Sequence, residues 1–136
     1  NYVPLTPNWG FNHRSVALRI PACDGANMRI EHRVAGADAN PYLVMAAILS
    51  GMHYGMRTQC EPKTEMIKEG EMFEDETITL PYRWDDSLDK FKAGKILPEY
   101  FGEDYCRIYE AIRRDECQQF NAAVTDVDYA WYLRAV

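Results

Sequence analysis

Three charged side chains at every second position of one short stretch constrain the fold of this chain most. Residues 29–33 read RIEHR, so Arg29, Glu31 and Arg33 alternate with uncharged residues. Successive side chains of a β-strand point to opposite faces, and all three would therefore share one face. The carboxylate could offer oxygens to Mg²⁺ or Mn²⁺, and the guanidinium groups could bind phosphate or carboxylate. The same spacing fits a solvated ladder of surface salt bridges, and spacing alone leaves both interpretations open.

A second strand pattern precedes this stretch. Residues 14–21 alternate between apolar positions and a face that holds Arg19 among small side chains. Residues 22–28 are small and turn-prone, which is typical of a hairpin loop. We therefore predict that residues 14–21 and 29–34 form adjacent antiparallel strands, with Arg19 and the charged row on one concave face. An edge strand with Arg19 in water is the alternative.

A helix with almost no polar face follows the strands. Asn40 is a good N-cap, and Pro41 suits the first helical position. The helix is predicted over residues 41–57, and its side chains are apolar on nearly every face. Such a helix is expected to be buried, under a sheet or between neighbours, and to anchor the core.

The rest of the chain predicts loops and further helices. Residues 1–12 are rich in proline and predict an extended loop, and residues 61–76 predict a solvated acidic loop. A short helix, capped by Ser87, is expected over residues 88–93. A long helix is expected over residues 98–124. A last helix, capped by Thr125 or Asp126, completes an α+β fold of antiparallel strands followed by packed helices.

Composition narrows the classes of function. The net charge is −6, which argues against a nucleic-acid partner, and no apolar run is long enough to span a membrane. Residues 1–40 carry four arginines against three acidic residues, or +1, and the remainder therefore carries −7. A cationic pocket in an acidic protein suits an anionic ligand. The four cysteines show no metal-binding or redox spacing, as in reduced thiols of a cytoplasmic protein.

The stretches NWGFNHRSVALRIP, RIEHR and ANPYL, in this order, resemble the C-terminal part of the glutamine synthetase catalytic domain. The longer stretch RIEHRVAGADANPYL is most similar to the γ-glutamylpolyamine (γ-glutamylputrescine) synthetase branch of that family. The resemblance implies that residues 1–136 are the C-terminal portion of such a domain, without the family's N-terminal domain. It also implies a homo-oligomeric ring with active sites between subunits, so the chain by itself is expected to be inactive.

The resemblance implies an ATP-dependent ligase that joins glutamate to a small amine through γ-glutamyl phosphate. Glu31 would ligate Mg²⁺ or Mn²⁺, and Arg33 would bind the glutamate carboxylate. Arg14 and Arg19 would contact the transferring phosphoryl group, with Arg19 and Arg29 at the nucleotide. Phosphoryl transfer needs such fixed cations around developing negative charge.

One departure from the family pattern bears on the amine. Ammonia-using members carry a Glu two residues before a proline of the N-terminal loop, and here Tyr2 takes that place before Pro4. An aromatic side chain there suits a larger amine, such as putrescine, and Tyr2 is a candidate substrate-binding residue. An ammonia-using glutamine synthetase and a non-catalytic scaffold relative are the alternatives.

Overall fold

Strands and helices occupy separate parts of the chain in the computed structural model, which describes residues 3–71 and 79–135. Its elements are β1 Trp9–Phe11, β2 Leu18–Ile20, β3 Glu31–His32, α1 Pro41–Thr58, α2 Trp84–Ala93, α3 Ile96–Phe101, α4 Glu103–Ala122 and α5 Asp126–Tyr132. The chain divides into two compact units, Asn1–Leu80 with the sheet and α1, and Pro81–Val136 with the other helices. The predicted α+β class is confirmed.

The hairpin predicted from the two strand patterns is present. In the sheet order β1-β2-β3, β2 and β3 are antiparallel, and Arg19 lies opposite Glu31. The backbone N–H of Arg33 donates to the carbonyl of Ala17 at 2.9 Å and continues the pairing past β3. Both strands are shorter than predicted. Residues 14–17 form a turn and a bend instead of a strand, and this places Val16 and Ala17 side by side in the buried core.

The N-terminal segment was predicted to be an extended loop, but part of it is strand β1. This strand pairs with β2 in parallel, so the sheet is mixed and not purely antiparallel. The other edge of β1 pairs with Ile67, whose N–H donates to the Trp9 carbonyl at 3.0 Å. A Cβ atom on Gly10 would lie 2.3 Å from the Ile67 carbonyl oxygen, so only glycine permits this approach. The pairing with Ile67 joins segments far apart in sequence, so local patterns did not reveal it.

The segment predicted as an acidic loop is only partly a free loop. Its acidic side chains at positions 61, 65, 69 and 71 are exposed, as expected of a solvated surface. Ile67, in contrast, is buried against β1, so backbone pairing anchors the segment to the sheet. Residues 72–76 of the predicted loop lie outside the described residues.

Helix α1 has the predicted start and nearly the predicted end. The Asn40 side chain accepts hydrogen bonds from the N–H groups of Tyr42 and Leu43, at 3.0 and 3.3 Å. The helix ends at Thr58, where Gln59 takes a left-handed φ of 51°. The prediction that α1 is buried is wrong for this chain, since apolar side chains such as Met45 and Met56 are 56% and 70% exposed. Of the described elements in its own unit, none packs against α1, and burial needs such a surface.

The second unit departs from the predicted helix boundaries at two points. Helix α2 begins at Trp84, so Ser87 lies inside it, where its hydroxyl donates to the Arg83 carbonyl. The long predicted helix is split at Gly102, whose φ of 87° lies outside helical geometry. Glycine adopts such a φ without the steric strain that a side chain brings.

The described core of the second unit contains two of the four cysteines. Cys106 and Cys117 are 8% and 4% exposed, and all four cysteines are free thiols. Thr125 caps α5 in a reciprocal capping box with Asp128, as one of the two predicted caps. Among the described helices, none combines the length and apolar character that a membrane crossing requires.

Candidate functional site

Glu31 lies at the centre of three guanidinium groups. Its Oε2 atom is 3.0 Å from Nη1 of Arg19 and 3.7 Å from Nη1 of Arg33. Its Oε1 atom is 3.8 Å from Nη2 of Arg29. The predicted charged row is therefore one cluster, which we call the Glu31 cluster: Arg19, Arg29, Glu31 and Arg33.

The strand register explains why these side chains meet. Arg19 and Glu31 are direct cross-strand partners of β2 and β3, and such partners are close enough for an ion pair. Arg29 and Arg33 lie two positions before and after Glu31, so they share its face. The side chains of Arg19, Arg33 and Glu31 are 16%, 25% and 29% exposed, against 56% for Arg29. The cluster is thus half-buried at one end and open to solvent at the other.

The surrounding cations favour the ionised form of Glu31. The hydrogen bond from Arg19 holds the pKa of the Glu31 carboxyl below its ordinary value. Partial burial acts in the opposite direction, while the charges of Arg19, Arg29 and Arg33 add to the lowering. The carboxylate therefore presents two charged oxygens at neutral pH.

Asn12 is a member of the site that sequence reasoning missed. Its Oδ1 atom accepts a hydrogen bond of 2.7 Å from Nη2 of Arg19, on the side of the guanidinium away from Nη1. Asn12 also has a φ of 51°, in the left-handed region that Asn tolerates better than most residues. Because β1 itself was not predicted, no sequence signal pointed to this asparagine.

His13 fastens the loop that carries Asn12. Its Nδ1 atom lies 3.2 Å from the backbone N–H of Ser15, and its Nε2 atom lies 2.9 Å from the Glu71 carbonyl. A backbone N–H can only donate, so Nδ1 is the acceptor and Nε2 carries the hydrogen. The imidazole therefore bridges this loop to the end of the acidic segment.

The remaining predicted site residues lie apart from the cluster or outside the described chain. Arg14 is exposed in the turn before β2, and no described hydrogen bond or ion pair joins it to Glu31. Tyr2 lies outside the described residues. The predicted site is thus brought together at four of its six positions.

The chemistry of the cluster fits an anionic ligand together with a divalent cation. Three guanidinium groups offer planar donor pairs for phosphate or carboxylate oxygens. Glu31, ionised and partly exposed, offers the hard oxygens that Mg²⁺ and Mn²⁺ prefer. The described residues contain no group of three or more His, Cys, Asp or Glu side chains that could hold a metal ion. Glu31 can therefore supply one ligand, and a complete metal site needs others.

A separate cavity lies in the second unit and contains none of the predicted site residues. It has a volume of about 340 Å³, with Phe91, Pro98 and Cys106 among its lining residues. Burial raises the pKa of the Cys106 thiol, so this sulfur is less reactive than an exposed one. The Glu31 cluster, and not this cavity, therefore contains the residues of the candidate site.

Comparison with known families agrees with the sequence resemblance. The family model for the catalytic domain of glutamine synthetase matches residues 1–132. The chain therefore belongs to the glutamine synthetase family.

The chain is similar to individual curated members of this family. The gamma-glutamylputrescine synthetase PuuA of Escherichia coli is 44% identical over 98% of this chain and 28% of its own length. The type-1 glutamine synthetase 2 of Dictyostelium discoideum is 33% identical over 99% of this chain and 26% of its own length. The chain thus spans little more than a quarter of the length of these two relatives.

A solved structure shares the fold. The cryo-EM structure of Plasmodium falciparum glutamine synthetase matches 97% of this chain and 35% of its own with a TM-score of 0.77. Sequence identity in this match is 19%, so it supports the architecture alone.

Proposed function

We propose that this chain is the C-terminal portion of the catalytic domain of an ATP-dependent glutamate–amine ligase. The observation that carries the proposal is the Glu31 cluster, in which one ionised carboxylate lies within 4 Å of three guanidinium groups. Exposed salt bridges contribute little to stability, so stability alone gives no reason to gather three guanidinium groups around one carboxylate. Phosphoryl transfer gives such a reason, because positive charge must be in place as negative charge develops.

The proposed reaction has two steps. A γ-carboxylate oxygen of glutamate attacks the γ-phosphorus of ATP, the bond to the β-phosphate bridging oxygen breaks, and ADP leaves. The amine nitrogen then attacks the carbonyl carbon, the C–O bond breaks, and phosphate leaves with the oxygen that came from glutamate. The amine proton passes to a base, and the product is a γ-glutamyl amide.

Each residue of the cluster has a role in this proposal, taken from the family resemblance and compatible with its chemistry. Arg33 binds the glutamate carboxylate, while Arg19, with Arg14, contacts the transferring phosphoryl group. Arg29, the most exposed of the cluster, and Arg19 bind nucleotide phosphates. Glu31 provides one ligand for Mg²⁺ or Mn²⁺, and the bound cation would neutralise phosphate charge.

The proposed amine is a polyamine such as putrescine. Greater identity to PuuA than to the Dictyostelium enzyme, 44% against 33%, supports a larger amine. Tyr2 adds to this support, because a phenol is a poorer acceptor of an ammonium proton than the carboxylate that ammonia-using members carry at this position. Its ring can instead pack against an alkyl chain. Ammonia is the second candidate.

The proposed assembly is a cytoplasmic homo-oligomeric ring with sites between subunits, as the family resemblance implies. On this proposal, the metal ligands and the glutamate site are completed by residues beyond this chain. The present chain alone is then expected to be inactive, and experiments require the full-length protein that carries this sequence.

The amine is identified by steady-state kinetics of the full-length protein. Phosphate release is measured with glutamate, ATP and Mg²⁺ or Mn²⁺, and with ammonia or putrescine as the acceptor. We expect a higher kcat/KM for putrescine. A higher kcat/KM for ammonia would favour an ammonia-using glutamine synthetase. If neither amine supports turnover in a metal-loaded assembly, the scaffold alternative is favoured.

A further inference from the structure

Asn12 is bound to strand β2 through its backbone and to Arg19 through its side chain. Its N–H donates to the carbonyl of Ile20, the residue after Arg19, at 2.7 Å. Its Oδ1 accepts from Nη2 of Arg19, also at 2.7 Å. Asn12 has a left-handed φ of 51° immediately after β1 ends. Asn12 is therefore fixed to the strand that carries Arg19 and reaches the guanidinium of that same residue.

The Arg19 guanidinium has few other restraints among the described residues. Nη1 donates to Glu31 at 3.0 Å. Nε is buried and has no hydrogen-bond partner in the described part of the chain. The orientation of the guanidinium plane thus depends on two acceptors, the Asn12 amide oxygen on one side and the Glu31 carboxylate on the other.

These two acceptors differ in what else they can bind. Under the proposed function, Glu31 oxygens also ligate a divalent cation, which withdraws electron density from the bond to Arg19. The Asn12 oxygen is already directed at Nη2 and carries no charge, so it is the weaker attractor for that cation. A neutral amide also leaves the positive charge of Arg19 available to an anionic substrate, which a carboxylate in its place would reduce.

We infer that Asn12 is a positioning residue that keeps the Arg19 guanidinium oriented while Glu31 engages the cation. The inference rests on the proposed function, because it assigns Arg19 to phosphate groups and Glu31 to a metal. Asn12 itself needs no contact with substrate. Its effect passes through Arg19, so it should disappear when Arg19 is removed. A purely structural role of Asn12 would not depend on Arg19.

The test uses Asn12→Gly in the full-length protein. Glycine accepts the left-handed φ and keeps the backbone N–H, so the substitution removes the side-chain acceptor with little backbone strain. Gln59→Gly is the matched control, since Gln59 has the same φ of 51° at the end of α1. We expect Asn12→Gly to lower kcat on the order of 10- to 100-fold, as misplacement of a catalytic group does. Gln59→Gly should change kcat less than twofold.

A double-mutant cycle with Arg19→Ala decides whether the effect passes through Arg19. Both kcat and the affinity for ADP are measured in the four proteins. The ADP affinity remains measurable even where turnover is too low to compare. With Arg19 absent, Asn12→Gly should cause less than a twofold further loss of ADP affinity. An equal loss in both backgrounds, or no loss in either, would overturn the inference.

The two proposals fail differently. If the unsubstituted protein forms no amide with any amine, the proposed ligase function fails, and the ADP cycle still reports on Asn12. If Arg19→Ala abolishes turnover while Asn12→Gly matches the unsubstituted protein, the ligase function stands and the role of Asn12 fails.

Discussion

Glu31 is the residue on which the functional interpretation depends most. Its carboxylate contacts arginines from both strands, and the Arg19 hydrogen bond lowers its pKa, so it stays ionised well below neutral pH. An ion pair of this exposure adds little to stability, and the proposed function gives the arrangement a role in ligand binding instead.

The first prediction concerns removal of this charge. In the full-length protein, Glu31→Gln keeps the side-chain shape but takes away a charged metal ligand. We expect turnover to fall about 100-fold or more and the metal titration to shift to higher concentration, because electrostatic stabilisation of the transition state is lost. Glu65→Gln, at an exposed position, is the control for a simple change of charge. Unchanged turnover and metal dependence in Glu31→Gln would assign Glu31 to a surface ladder.

A second prediction concerns the glycine in β1. The Cβ of Gly10→Ala would lie 2.3 Å from the Ile67 carbonyl oxygen, so the backbone pairing must shift. We expect a loss of roughly 1–3 kcal/mol in the free energy of unfolding, as for other overpacked sites. Gly51→Ala is the matched control, because its Cβ would meet nothing within 4 Å in helix α1. It should add about 0.5–1 kcal/mol through helix propensity. Denaturant unfolding should show a lower free energy of unfolding for Gly10→Ala and a higher one for Gly51→Ala.

Among the elements, those specified by local sequence were predictable. Asn40 and Pro41 located the start of α1, because the cap and the first helical position are chosen by adjacent residues. Strand β1 was not predicted, because its pairing with Ile67 depends on a residue 56 positions beyond Phe11. Burial of α1 was predicted wrongly, because an apolar pattern describes the helix and not the surface available to cover it.

The candidate site was predictable to a similar extent and for a similar reason. The alternation in RIEHR was enough to place Arg29, Glu31 and Arg33 on one face, and the hairpin added Arg19. Asn12 was missed because its contact with Arg19 requires a left-handed residue at the end of an unpredicted strand. Arg14 is likewise exposed because the residues before β2 form a turn. A continuous strand over residues 14–21 would have directed its side chain differently.

A third prediction concerns the pH dependence of helix α5. The Thr125 backbone N–H and hydroxyl both donate to Asp128, and these hydrogen bonds lower the pKa of its carboxyl. The unfolded state therefore binds the proton more tightly than the folded helix does. The stabilisation is complete above the ordinary Asp pKa of about 3.9 and is lost as the pH falls through the lower folded value.

We expect the Thr125 amide resonance and the helical signal of α5 to remain constant from neutral pH to about pH 5, then to change in acid. Asp128→Asn should weaken the cap at neutral pH and remove most of this acid transition. Asp126→Asn is the matched control, because it removes a neighbouring carboxylate and leaves the capping box intact. A transition that survives in Asp128→Asn would contradict the assignment.

For the whole molecule, the uneven charge and the length of the chain bear on its function together. The chain has a net charge of −6 although it carries a cationic cluster, and under the proposed function the two signs of charge would serve an anionic nucleotide and a cationic amine at different points. The chain spans 28% of PuuA, so the proposed reaction belongs to the full-length protein. The route by which phosphate leaves glutamate can be measured in that full-length protein.

The most direct test follows an oxygen atom. Glutamate labelled with ¹⁸O in its γ-carboxylate is incubated with ATP, metal, putrescine and the full-length protein, and the released phosphate is analysed by mass spectrometry. An acyl phosphate requires that each phosphate carry one oxygen from glutamate, and we expect one ¹⁸O per phosphate together with γ-glutamylputrescine. Phosphate released without ¹⁸O while the amide forms would contradict the account.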